Sequence, residues 1–364
     1  MALQQHLSSL YHYLRLHLFV LVFRLLLRWR TAAHIRRDAD VLPLAEAGVR
    51  KQRVQIPSRD PGRFIAADLY LPLSQPHDDR NKDEPRLPVL VNWHGSGFIF
   101  PLLGTDAYFC TRMARDAGLA VLDADYRKAP EHPYPAAIDD AEDVLRWVAS
   151  ASASPSTIAS AGYNWDPRRL AVSGFSAGGH IAAVAASHLK QKLEKEENPS
   201  LGIRIEMLLS IYGSADLATE GAAKKKPVPH LRAHAPWILD MFAEAYAPAP
   251  PFSRADPAVS PLFADPGAFP RAAAFLTCEG DNLRWEIEAL VERLREQEGG
   301  GTTTTTDEKG QRGREVPYKM LEGVCHAFDK GIKEDGGGSL PWIRREEAYA
   351  WAASLLKDTL HPSQ

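Results

Sequence analysis

The segment Arg169–Leu189, "RLAVSGFSAGGHIAAVAASHL", joins an apolar run to an alanine-rich helical pattern through Gly174-Phe175-Ser176-Ala177-Gly178. Gly-x-Ser-x-Gly at a strand-to-helix junction is a nucleophile elbow. The turn is tight, so side chains at 174 and 178 would collide with neighbouring backbone. Such a turn lifts the Ser176 hydroxyl above a sheet, and the next helix aims its first N–H groups at developing negative charge.

A second glycine-flanked serine sits in "VNWHGSGF", residues 91–98. It also comes after a strand, but no helix begins at Ser96; Phe98-Ile99-Phe100-Pro101 continues as loop. A glycine-rich loop at a strand's carboxyl end can offer unpaired backbone N–H groups to an oxyanion. The expected donors are Gly95, Ser96 and Gly97, with Ala177 beside the nucleophile. His94 is expected to tie this loop down rather than to act as a base.

A serine hydroxyl needs a base, and the base needs an orienting acid. The expected chain order is serine, acid, histidine. The histidines after Ser176 are His180, His188, His230, His234, His326 and His361. His326, in "EGVCHAF" just past the last strand, fits best; His180 and His188 lie along the helix after Ser176. For the acid, "LTCEGDNLRWE" offers Glu279, Asp281 and Glu286. Asp281 lies past the strand and before the next helix and is the expected acid. His230 and His234 are four apart, but no His-Glu-x-x-His or third ligand accompanies them. They are expected to be surface histidines of a covering helix, and no metal or other cofactor is expected. No P-loop, dinucleotide fingerprint or EF-hand loop is present.

Positioning these groups calls for a sheet. Ile65–Leu71 alternates strictly and predicts an early, half-buried, antiparallel strand. Later strands are predicted at 88–94, 119–126, 169–175, 205–213, 272–280 and 316–323. Several are near-continuous apolar runs, as strands buried on both faces require. The stripe Ile138, Ala141, Leu145, Val148 marks a helix between strands, and residues 341–358 a closing one. Residues 150–162 read as loop, 190–200 as a polar helix end and turn, and 298–314 as a low-complexity insertion. The proline-rich stretch 216–260, with a helix expected near 231–245, reads as an insertion over the sheet's carboxyl edge. The resulting division is 1–50 as an amino-terminal apolar helix and cap segment, 51–215 as the first part of an α/β core, 216–260 as cap, and 261–364 as the second part.

The 364 residues are 45% hydrophobic and 24% charged, with a net charge of −3 of mixed sign. Nothing in this balance suggests a nucleic-acid surface. Cys110, Cys278 and Cys325 fit neither a disulfide framework nor a zinc site, which favours a reducing, cytoplasmic setting. Residues 14–29 are strongly apolar but carry Arg15, His17 and Arg24, and the longest uncharged piece is too short to span a bilayer. The favoured expectation is a helix covering the protein's own core or site. The alternative is peripheral membrane contact through residues 1–30, with Arg24, Arg28 and Arg30 at the headgroups.

Five blocks together resemble the hormone-sensitive-lipase-like branch of the α/β-hydrolases. They are His94-Gly95-Ser96-Gly97-Phe98, Asp125–Ala137 ("DYRKAPEHPYPAA"), Gly174–Gly179, Asp281-Asn282-Leu283-Arg284 and His326-Ala327-Phe328. The likeness runs from about residue 88 to 330, and "VNWHGSGF" is similar to fungal members, several of which sit in secondary-metabolite pathways. The resemblance implies a mostly parallel eight-stranded sheet flanked by helices with a helical cap. It implies a carboxylesterase acting on small-molecule esters with Ser176, Asp281 and His326 as triad. Ser96 stands where the family usually has the middle of three glycines, and Asn282 and Trp285 depart from its acid motif. Acyl-transfer or cyclisation chemistry, or a non-catalytic receptor on the same fold, are the alternatives.

Overall fold

Apolar runs that a single exposed face could not accommodate form the centre of one twisted sheet. The computed structural model describes residues 2–73, 86–153, 165–195, 202–225, 227–297, 314–332 and 338–361. Its strands are β1 (Val49–Pro57), β2 (Phe64–Pro72), β3 (Leu87–Trp93), β4 (Ala120–Ala124), β5 (Trp165–Phe175), β6 (Ile205–Ile211), β7 (Ala272–Cys278) and β8 (Tyr318–Leu321). They form one sheet in the order β1-β2-β4-β3-β5-β6-β7-β8. β2 pairs antiparallel with β1 and β4, and every other pairing is parallel.

The helices are α1 (Ala2–Asp40), α2 (Leu44–Ala47), α3 (Ala107–Ala117), α4 (Ala136–Ala153), α5 (Ala177–Val184), α6 (Lys190–Lys195), α7 (Pro236–Tyr246), α8 (Arg284–Glu296) and α9 (Leu340–Leu360). Adjacent strand residues feed opposite cores, as the two-residue period demands. Val91, Leu122 and Val172 join Ile138 and Leu145 of α4 and Leu290 of α8. Leu90, Val121 and Ala171 join Phe109 of α3 and Tyr349 and Leu356 of α9. Burying each such Val or Leu contributes about 2 kcal/mol.

Three sequence expectations need correction, and one strand was not expected at all. β1 is a strand that the hydrophobic pattern hides, because Arg50, Lys51 and Arg53 interrupt it. Those cations have a purpose on β2: Asp68 is 1% exposed and pairs with Lys51 at 2.8 Å and with Arg53. The strand 65–71 is therefore not half-buried; Asp68 and Tyr70, on its expected solvent face, are both interior. α4 runs to Ala153 and takes the first residues of the expected loop at 150–162. The helix expected from Leu231 starts at Pro236, where proline's fixed φ suits the first helical position. Residues 154–162, 196–200 and 298–313 lie outside the described residues.

α1 packs through Leu16, Val20 and Phe23. Arg24 fixes its placement: Nε donates to the Ile99 carbonyl at 2.8 Å, and Nη2 to the Ala129 carbonyl at 2.7 Å. The Arg24 guanidinium also grips both carboxylate oxygens of Glu131, at 2.6 and 2.9 Å. Such a bidentate pair gives orientation as well as energy. At the helix's other end Asp38 accepts from the Tyr108 amide at 2.8 Å. Phe23 meets Phe100 edge-on at 5.4 Å, and Phe19 meets Trp237 of α7 at 5.8 Å. The favoured expectation, a helix covering the body, therefore holds for one face of α1. Arg24 is not at a free headgroup position.

Candidate active site

β5 ends at Phe175 and α5 begins at Ala177, leaving Ser176 alone at the corner with φ 53° and ψ −117°. A non-glycine residue held there costs about 1–3 kcal/mol, which surrounding structure must impose. The imposed contacts are visible. Ser176 N–H donates to the Ile211 carbonyl at 3.0 Å, and its own carbonyl accepts from His180 at 3.0 Å. A Cβ on Gly174 would lie 2.2 Å from the Gly178 backbone, and one on Gly178 would lie 1.8 Å from the Trp93 carbonyl. Both glycines are required by close backbone approach.

The loop after β7 turns back at Asp281, which is 1% exposed. One of its oxygens accepts from the Leu283 amide at 2.9 Å; the other lies 2.6 Å from His326 Nδ1. His326, past β8, places Nε2 2.9 Å from Ser176 Oγ. Ser176, His326 and Asp281 thus meet in one hydrogen-bonded chain. The competing acids serve elsewhere. Glu279 accepts from the Gly323 amide at 2.8 Å, and buried Glu286 accepts from the Ala215 amide at 2.8 Å and pairs with Lys224.

Residues 94–98 lie across the elbow, with Gly95 packed on the Phe175 carbonyl and Ser176. Among the described residues, no hydrogen-bond acceptor takes the backbone N–H of Gly95, Ser96, Gly97 or Ala177. Ser96 turns its hydroxyl away from the site: Tyr126 donates to the His94 carbonyl at 2.8 Å and accepts from Ser96 Oγ at 2.5 Å. His94 stacks on Tyr126 at 4.9 Å, and its Nε2 accepts from the Leu102 amide at 3.4 Å. Burial, with Lys128 adding to it, lowers the His94 pKa to about 3. His94 is a neutral strut. His180, one turn into α5, is likewise fully buried, with its pKa lowered by burial to about 4. Its ring stands edge-on to Phe98 at 5.2 Å.

His234 corrects another expectation. It lies in the loop before α7, half-buried, with its ring 4.5 Å from that of His326. Its carbonyl accepts from Asn282 Nδ2 at 3.2 Å. Burial, then the charge of His326, lowers its pKa to about 4. Helical spacing in the sequence misdirected this reading; the proline at 236 was the signal that 230–235 are loop. His230 is exposed, as expected. Donor atoms of His234, Asp281 and His326 fall within 4.8 Å of one another, a spacing that could hold a metal ion. Both His326 nitrogens are already engaged, one by Asp281 and one by Ser176, which favours proton transfer over coordination.

Over Ser176 lies a narrow cavity of about 40 Å³, walled by Gly97, Leu217, Leu239, Phe242 and Leu283, with Ser214, Asp216, Thr219 and Lys224 on its polar side. Phe242 of α7 sits directly over Gly97.

The sequence pattern of the α/β hydrolase fold matches residues 90–330. This chain belongs to the α/β-hydrolase family. Two relatives span most of this α/β-hydrolase. It is 30% identical to an AB hydrolase superfamily protein of Schizosaccharomyces pombe, over 79% of this chain and 75% of the relative. It is 29% identical to a carboxylic ester hydrolase of Mycobacterium tuberculosis, over 84% of this chain and 71% of that one. Among solved structures, the thermophilic carboxylesterase EstE1, cloned from a metagenomic library, superposes with a TM-score of 0.65 and 26% identity. That match covers 92% of this chain and 97% of the other.

Proposed function

We propose that this α/β-hydrolase is a serine carboxylesterase of the hormone-sensitive-lipase-like branch, acting on small to medium apolar esters through an acyl-enzyme. The carrying observation is the chain Ser176 Oγ–His326–Asp281, at 2.9 and 2.6 Å. His326 Nε2 takes the hydroxyl proton as Ser176 Oγ bonds to the ester carbonyl carbon, and Asp281 stabilises the resulting imidazolium. The N–H groups of Gly95, Ser96, Gly97 and Ala177 stand open for the oxyanion. Collapse breaks the bond to the alkoxy group, which leaves with the proton from His326. Water, deprotonated by the same histidine, then releases the acid and restores Ser176.

The ester substrate class is supported by the activities that name the mycobacterial relative and the metagenomic carboxylesterase. Apolar preference is supported by Leu217, Leu239, Phe242 and Leu283 around the cavity. Kinship with fungal members is supported by the fission-yeast relative. The test is hydrolysis of p-nitrophenyl esters of increasing acyl length by wild type and Ser176→Ala. Turnover of short chains, lost in the variant, is the expected result. Turnover retained in a folded Ser176→Ala protein would falsify the assignment.

A further inference from the structure

We propose that α1 is a docking helix for an anionic lipid surface, lying flat on it through the face opposite the one that packs on the protein. The observation is a helix apolar on both sides. Leu16, Val20 and Phe23 succeed one another at helical spacing toward the body. On the opposite side Leu14, Leu18, Val22, Leu25 and Trp29 repeat at three- and four-residue steps, each between 44% and 71% exposed. Leu26 is 72% exposed beside them. Residues three and four apart share a helix face, so these side chains form a continuous stripe rather than scattered apolar spots. Trp237 of α7, 54% exposed and in contact with Phe19, extends the apolar surface onto the helix that covers the site.

Charge selects the occupant. From Tyr11 to Arg37, roughly 40 Å of helix, the sequence holds no Asp or Glu. Arg15, Arg28, Arg30, Arg36 and Arg37 are exposed, and no ion pair among the described residues engages them. The sixth arginine, Arg24, is the one turned inward onto Glu131, so it anchors the helix to the protein and leaves the opposite face free. An apolar stripe flanked by arginines matches the boundary between acyl chains and acidic headgroups. A spanning segment does not fit: no helix among the described residues is long and apolar enough to cross a membrane. A second copy of this chain would bring the same cations face to face across a symmetric contact, which disfavours it.

The experiment is co-sedimentation of the full chain with phosphatidylcholine vesicles, with and without phosphatidylserine, at low and high salt. A triple variant, Leu18→Glu, Leu25→Glu and Trp29→Glu, is run beside wild type, and thermal melting by circular dichroism shows that it is folded. Wild type is expected to partition at least about tenfold more onto the anionic vesicles, with high salt and the triple variant each removing most of that gain. Equal partition onto neutral vesicles, or none onto either, overturns the proposal. So does a wild-type dimer in sedimentation velocity that the triple variant dissociates without any vesicle binding, which would assign the face to a second copy. Vesicle binding needs no turnover, so its outcome is independent of the esterase reading.

Discussion

Ser96 and Ser176 each sit between glycines at the carboxyl end of a central parallel strand, yet the fold uses them in opposite ways. Ser176 occupies a strained backbone position with its hydroxyl 2.9 Å from His326. Ser96 is 5% exposed and its hydroxyl is spent on Tyr126, 2.5 Å away. The difference lies in the chain just beyond each serine. α5 begins directly after Ser176, and its first turn pulls the chain back under the hydroxyl. After Ser96 the chain runs on as loop, and Tyr126 and His94 hold it from below, leaving backbone N–H groups as what it offers. Reactivity here depends on the partner each hydroxyl meets, an imidazole for Ser176 and a phenol for Ser96, not on residue type.

The sharpest contrast is between two truncations. Ser176→Ala is expected to lower kcat/KM by roughly 10^4-fold or more. Ser96→Ala keeps the open N–H and is expected to lower it less than about tenfold. Steady-state hydrolysis of one p-nitrophenyl ester by both variants decides; equal losses would erase the distinction. Asp281→Asn comes next, with an expected loss of about 10^4 in kcat and little change in KM, because His326 would lose its tautomer and its counter-charge.

Gly97→Ala probes the loop directly. Gly97 has φ 55°, and a Cβ there would fall 2.5 Å from the Phe242 ring. Displacing one of the proposed oxyanion donors is expected to cost roughly 10²-fold in kcat. Adding Phe242→Ala opens the space, so the double variant is expected to recover part of the loss; no recovery would point to backbone strain alone.

The smallest effect separates the struts below the two serines. His94 stays neutral in the folded protein down to about pH 3, whereas an unfolded histidine takes its proton near 6.5. Between those values the unfolded chain binds more protons, so this group's share of stability is complete above pH 6.5 and declines as pH falls toward 3. His94→Gln is expected to flatten the acid side of Tm against pH, while leaving the parallel contribution of His180 in place. An unchanged slope across this range would remove His94 from the account.

Much of this arrangement was legible beforehand. Gly174 and Gly178 announced the elbow because only glycine tolerates backbone at those distances, and continuous apolar runs marked β3 to β7 because both of their faces are covered. β1 was not legible: Arg50, Lys51 and Arg53 break its apolar pattern, and the buried partner of two of them, Asp68, lies on β2. His234 was misread because its neighbour, His326, is far away in sequence and close only in the fold. Only the alternative reading of residues 14–29 put Arg24 at a headgroup, and its actual partner, Glu131, is 107 positions along the chain.

By itself the sequence determined the strand-turn-helix at Ser176, the order of serine, acid and histidine, and the apolar, arginine-bearing character of residues 14–29. These are local matters of steric tolerance, periodicity and composition, and each can be read within a dozen residues. Only the tertiary structure shows Asp281 within hydrogen-bond reach of His326, the Ser96 hydroxyl held by Tyr126, and which side of α1 stays bare. Those outcomes depend on which groups the folded chain brings within hydrogen-bond reach, and partners separated by a hundred residues leave no mark on one another in the sequence.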